Sequence, residues 1–151
     1  MEKQSEPSQA RLRVETDIYA LSKVQGWFNQ FKPRMSNKVW MQCNLALTEG
    51  FTNVVCHAHE RLPDHTPIDI EVELGADYLV MQIWDYGAPF DLMAKLATLA
   101  NTEESLDDID NLPTGGRGLM ITDAIADELS YDRLTDGRNC LRIKKNLFPP
   151  E

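Results

Sequence analysis

Between Val39 and Cys56 the only charged residue is Glu49, in a stretch that otherwise reads as helix. Ser36 is the expected N-cap, and the helix is expected to run to about Arg61. Trp40, Cys43, Leu47, Phe51, Val54 and Ala58 recur at helical spacing and define an apolar face. On the other side, four apart, stand Glu49, Asn53 and His57. A polar stripe opposite an apolar one is also what an ordinary surface helix shows. A solvated face of this length normally carries several Lys and Glu, however. The scarcity of charge points to a helix covered on both sides, with one acid, one amide and one imidazole facing something other than bulk water.

A helix covered on both sides needs a sheet and further helices, and the chain supplies both patterns. Ile68, Ile70, Val72 and Leu74 alternate with Asp69, Glu71 and Glu73, which predicts a strand with one face in the core and one in water. Gly75-Ala76-Asp77 is the turn, and a return strand runs from Tyr78 to Asp85. Arg11 to Glu15 alternates as a short strand, preceded by a frayed polar segment over 1–9. Thr16 or Asp17 is the expected cap of a helix carrying Ile18, Leu21, Val24, Phe28 and Phe31, which Lys32-Pro33-Arg34 ends. Phe90 to Ala100 has a short helical pattern. Gly118 to Ala126 reads as helix, Glu128 to Leu134 as strand, Asp136-Gly137 as a hairpin turn, and Cys140 to Lys145 as the closing strand.

Two stretches carry chemistry besides the helix. In the return strand Leu79, Met81, Ile83 and Asp85 share one parity, so if the first three face the core, so does the Asp85 carboxylate. An acid there needs a partner or a ligand. It is followed by Tyr86-Gly87-Ala88-Pro89-Phe90. The second stretch, Gly115-Gly116-Arg117-Gly118-Leu119-Met120-Ile121, opens a helix. Its glycines let backbone approach a ligand closely, and a helix start offers unpaired N–H groups and a positive dipole end to phosphate. Each stretch alone is also compatible with a plain structural turn. Between them, Asn101 to Thr114 carries five acids and no Lys or Arg, either as a lid or as an acidic surface loop.

Composition narrows the partners. A net charge of −9 disfavours non-specific binding to nucleic acid. No apolar run is long enough to span a bilayer, and the N-terminus lacks a signal-peptide apolar region. The cysteines, Cys43, Cys56 and Cys140, have no metal-site spacing and are odd in number, so reduced thiols in a cytoplasmic protein are the expectation. The 151 residues suggest one domain, with no repeat or linker.

In chain order the motifs are Glu49-x-x-x-Asn53-x-x-x-His57, Asp85-x-Gly87-x-Pro89-Phe90, and Gly115-Gly116-Arg117-Gly118-Leu119-x-Ile121. Together they resemble the ATP-binding (Bergerat) domain of the GHKL superfamily, which includes gyrase, Hsp90, histidine kinases and MutL. More narrowly, the chain is similar to the stand-alone anti-sigma-factor serine/threonine kinases of bacterial partner switching, over about residues 11–146. The resemblance implies an α/β two-layer sandwich, helices on one face of a mixed, mostly antiparallel sheet. It implies ATP and Mg²⁺ as cofactors. Asn53 would coordinate the Mg²⁺, Glu49 would be the general base, and Asp85 would accept from the adenine amino group. Gly87 would let the base lie close, and Gly116, Gly118 and Leu119 would present N–H groups to phosphate. Pro89, Gly115 and Arg117 complete the nucleotide-binding motifs. His57 matches the pattern too, with a hydrogen-bonded packing histidine as its alternative. An amide oxygen suits a hard ion, and a carboxylate one turn away is placed to take a hydroxyl proton.

The resemblance further implies a homodimer and, as phosphate acceptor, a serine on a small antagonist protein, with a sigma factor as a possible regulated partner. His59-Glu60-Arg61-Leu62-Pro63 superficially matches a histidine-kinase acceptor motif, one residue short, and is taken as coincidence. The competing reading is a non-catalytic ATP-gated protein-binding module, against which Glu49 argues. An ATP hydrolase without a protein acceptor is weaker, because no transducer domain is expected.

Overall fold

A computed structural model gives the architecture, and residues 7–89 and 116–148 are the ones described. Five strands form one sheet: β1 (Ser8–Glu15), β2 (Pro67–Leu74), β3 (Tyr78–Asp85), β4 (Glu128–Arg133) and β5 (Asn139–Asn146). They lie in the order β1-β2-β3-β5-β4, and every described pairing is antiparallel. Three α-helices are described: α1 (Leu21–Phe28), α2 (Asn37–Asn53) and α3 (Gly116–Ile125). The result is the expected α/β fold, a helical layer on one face of an antiparallel sheet.

Strict alternation sets the register. Ile70 pairs with Leu12 on one side and Ile83 on the other, and Val72 with Ala10 and Met81. All four β2 apolar side chains are at most 1% exposed. The opposite face is closed by cross-strand pairs: Arg13 to Asp69 at 2.7 Å, Arg11 to Glu71 at 3.2 Å and Gln9 to Glu73 at 2.8 Å. Register therefore puts charge in water and the aliphatic row under the helices.

The helical layer centres on α2. Ser36 caps it, accepting from the Val39 N–H at 3.2 Å. Phe28 of α1 stacks on Trp40 with ring centroids 4.7 Å apart. Gly50 brings α2 onto the sheet, since a Cβ there would lie 2.5 Å from Ile83 Cδ1. The helix α2 has α1, α3 and β3 packed against it, while its remaining face is open to solvent and carries Met41 and Leu45, 62% and 42% exposed. Burial pushes the Cys43 thiol up to about 12.

Several expectations are revised. β1 begins at Ser8, so residues 8 and 9 belong to the sheet rather than to a frayed end. The first helix is broken: 3-10 turns at Ile18–Ala20 and Asn29–Arg34 flank α1, Ile18 is 42% exposed, and Pro33 falls in the second turn. Asp17 caps the first of these turns, while Thr16 is turned inward. The long helix does not stay α-helical to Arg61. It passes at Asn53 into a π-helical turn, Val54–Ala58. The helical pattern over 90–100 and the acidic loop 101–114 lie outside the described residues.

Candidate nucleotide site

The site begins where α2 meets α3. A Cβ at Gly118 would lie 2.8 Å from Glu49 Oε2 and 3.4 and 3.5 Å from Asn53 Nδ2 and Oδ1. A glycine in the first turn of α3 lets the carboxylate and the amide sit this close to that backbone without either side chain having to move. The two side chains are half-buried, whereas His57 is exposed. The π turn adds a residue per turn and so shifts His57 relative to an unbroken i, i+4 stripe. His57 stands at the cavity wall rather than as a packed core histidine. Within α3, Thr122 Oγ1 donates to Gly118 O at 2.8 Å, and the Lys145 ammonium caps its far end at Ile125 O, 3.0 Å away.

The second half of the site is the end of β3. Asp85 is 4% exposed and lies on the core face with Leu79, Met81 and Ile83. Its Oδ1 accepts from the Gly87 N–H at 2.8 Å and from Asn139 Nδ2 at 2.9 Å. Both bonds from described residues thus fall on one oxygen. Asn139, fully buried and paired with Asp85 in the β3–β5 register, also donates to Gly87 O at 2.8 Å. Arg133 Nη1 donates to the same carbonyl at 3.1 Å and to Asn139 Oδ1 at 3.3 Å. The missing side chain of Gly87 serves packing: a Cβ there would lie 2.5 Å from Ala58 O and 2.9 Å from Ala58 Cβ. Glycine at 87 is what lets the strand end close against the π turn.

Between these halves lies a cavity of about 220 Å³. Gly50, Ile83, Leu119, Tyr131 and Leu141 supply its apolar walls; Asp85, Asn53 and His57 supply polar groups. Flat apolar walls with a few convergent polar groups are the usual make-up of a small-molecule pocket. The cavity therefore joins residues of all three motifs: Asn53 and His57, Asp85, and Leu119. Pro89 is exposed and follows Ala88, which lines the cavity. Gly116 and Arg117 are in the first turn of α3. Gly115 lies outside the described residues.

His59 is 1% exposed and fully engaged. The Tyr86 N–H donates to its Nε2 at 2.8 Å, and Nδ1 lies 2.8 Å from Thr16 Oγ1. Thr16 Oγ1 in turn donates to Thr66 O at 2.7 Å, so Nδ1 carries the proton and the ring is neutral. Burial lowers its pKa, with the Asp85 carboxylate opposing. An imidazole whose acceptor nitrogen is committed to a backbone amide, at 1% exposure, is not presented as a phosphate acceptor.

Sequence reading missed Asn139, Tyr131 and His59. Asn139 had one usable signal. It shares parity with Leu141 and Ile143, so extending the closing strand by one residue would have put an amide on the core face.

The sequence profile described as "Histidine kinase-like ATPase domain" matches residues 14–145. Serine-protein kinase RsbW of Staphylococcus epidermidis is 30% identical over 86 residues, covering 57% of this chain and 54% of that protein. RsbW of Staphylococcus epidermidis strain RP62A matches to the same extent. The aligned region spans about half the length of these relatives.

Proposed function

This chain belongs to the histidine kinase-like ATPase domain family, and from that membership we propose that it is an ATP-dependent serine/threonine protein kinase. Its substrate is a serine on a separate small antagonist protein, and its regulated partner is a sigma factor or a protein of that kind. The observation that carries the reading is convergence: Gly118 abuts Glu49 and Asn53, and Asn53 shares a cavity with Asp85.

The residues fit the ligand. Asn139 and the Gly87 N–H hold Asp85 Oδ1, so the carboxylate is oriented before any base arrives. An ionised carboxylate only accepts, and so selects a base edge that donates, as an adenine amino group does. The first turn of α3 brings unpaired N–H groups and the positive end of a helix dipole to the cavity's edge, where phosphates would lie. No group of three or more His, Cys, Asp or Glu suited to a metal occurs among the described residues. The Asn53 amide oxygen would help to hold Mg²⁺ brought by the nucleotide, and the ion would supply charge neutralisation.

The chemistry left to the protein is positioning and proton removal. The acceptor serine Oγ forms a bond to the γ-phosphorus, the bond from that phosphorus to the β,γ-bridging oxygen breaks, and ADP leaves. Glu49 takes the serine proton. A positioned base is worth about a hundredfold or more in rate.

The test is labelling with radioactive ATP of small serine-bearing proteins co-purified with this chain. Wild type should label one of them. Glu49→Gln should bind ATP with unchanged affinity and label it at least about a hundredfold more slowly. Undiminished labelling by Glu49→Gln would remove Glu49 as base. Tight ATP binding with no labelled acceptor would point to the ATP-gated binding module.

A further inference from the structure

The geometry points to His59 as the positioning residue of the site: its neutral imidazole ties the Asp85-Tyr86-Gly87 turn to the β1–β2 edge, and so sets where the Asp85 carboxylate meets a ligand. This inference rests on the nucleotide reading of the cavity.

Three facts carry it. His59 makes one hydrogen bond with each ring nitrogen, and both are short. The Tyr86 N–H reaches Nε2 at 2.8 Å, and Nδ1 reaches Thr16 Oγ1 at 2.8 Å. Thr16 is itself buried and anchored, through Oγ1 to Thr66 O at 2.7 Å and through its amide to Asp64 O at 2.9 Å. The turn being held is also gripped by shape. Gly87 packs on Ala58, one residue before His59, so the π turn grips the turn after β3 by shape at Gly87 and by a hydrogen bond at Tyr86.

The arrangement is directional. A backbone N–H can only donate, so Tyr86 requires an acceptor at Nε2, and Nδ1 must then carry the hydrogen and donate to Thr16. The other tautomer, or an imidazolium, would set two donors against each other at Tyr86. Tyr86 immediately follows Asp85, so loss of this bond frees the peptide that orients the carboxylate. Asn139 and Arg133 brace the turn from β5 and β4; His59 braces it from the end of the π turn.

Two replacements separate the acceptor from mere bulk. In His59→Gln the side-chain oxygen falls near the place of Nε2 and still accepts from Tyr86. In His59→Asn the amide falls near Nδ1, reaches only Thr16, and leaves the Tyr86 N–H without a partner. Titration of Mg·ATP by calorimetry should give about a tenfold or greater loss for His59→Asn and a change within about threefold for His59→Gln. In the wild type, multiple-bond ¹H–¹⁵N correlation at neutral pH should show a bare Nε2 and a protonated Nδ1. Equal affinities for the two variants, whether both retained or both lost, would overturn the inference. So would the opposite order, or an Nε2-protonated or doubly protonated ring. If His59→Asn does not fold, the nitrogen shifts and His59→Gln decide alone, and a large loss in His59→Gln overturns the inference. A wild-type protein that does not bind ATP fails the nucleotide reading itself, whereas a wild type that binds with the wrong variant pattern fails only the role of His59.

Discussion

At the scale of single residues, Asp85 gives the sharpest prediction. Its Oδ1 accepts two hydrogen bonds, and the amide oxygen of Asn can accept the same two. Asp85→Asn should therefore fold normally. The change falls on the other atom, where a carboxylate oxygen becomes an NH₂ that donates toward a donating base edge. Loss of a hydrogen bond to a charged group costs about 1.5–3 kcal/mol, or roughly a ten- to hundredfold loss of affinity. Calorimetry with ATP checks it, alongside a melting curve that should match wild type within error. His59 gives a prediction in pH. Its folded pKa lies below the ordinary 6.5 because of burial. The unfolded chain thus binds the proton first, and the His59 contribution is complete above that value and lost as pH falls through the folded pKa. Wild-type stability in urea should fall more steeply than that of His59→Gln as pH drops below the ordinary 6.5.

At the scale of elements, glycines report how closely the pieces approach. A Cβ at Gly87 would strike the Ala58 carbonyl, which is backbone and has no rotamer to yield. Gly87→Ala should cost about 1–3 kcal/mol as the turn after β3 is pushed off the π turn, and should weaken ATP binding with it. Gly26 is the control. It sits inside α1, with nothing within 4 Å of its Cβ position and no positive φ. Gly26→Ala should raise stability by about 0.5–1 kcal/mol. Denaturant melts of the two variants should move in opposite directions. Element identity was open to sequence reasoning wherever a period was clean: β3 runs from Tyr78 to Asp85, as its alternation predicts. It was closed where tertiary contact overrode the period, as in the π turn, which holds His59 against Tyr86 and Ala58 against Gly87.

At the scale of the whole molecule, helices, strand ends and turns distant in sequence close on one cavity, so a ligand there ties them together. Anything that binds the folded chain alone stabilises it by mass action, by about 2.7 kcal/mol at a hundred times Kd. For a chain of this size that is a rise of roughly 5–10 °C in Tm. Thermal melts of wild type with saturating Mg·ATP should show it, and those of Asp85→Asn at the same concentration should show far less. A wild-type melt that ATP leaves unmoved would argue against nucleotide binding at the cavity.

Local pattern alone carried the sheet's alternation, the capped start of α2, the turn at Gly75 and the parity that buries Asp85. These depend on neighbours within a few residues, where backbone geometry and side-chain period are enough. The three motifs were likewise visible as residues in order. Their meeting was not: that Gly118 lies against Glu49 and Asn53 is a packing result between α2 and α3. Asn139 and His59 mark the same limit. Asn139 reaches Asp85 across 54 positions, and His59 reaches Thr16 across 43. Hydrogen bonds of that separation have no period and no spacing to reveal them. Strand register and the π turn created them, because buried donors and acceptors had to find partners where the fold had already put them.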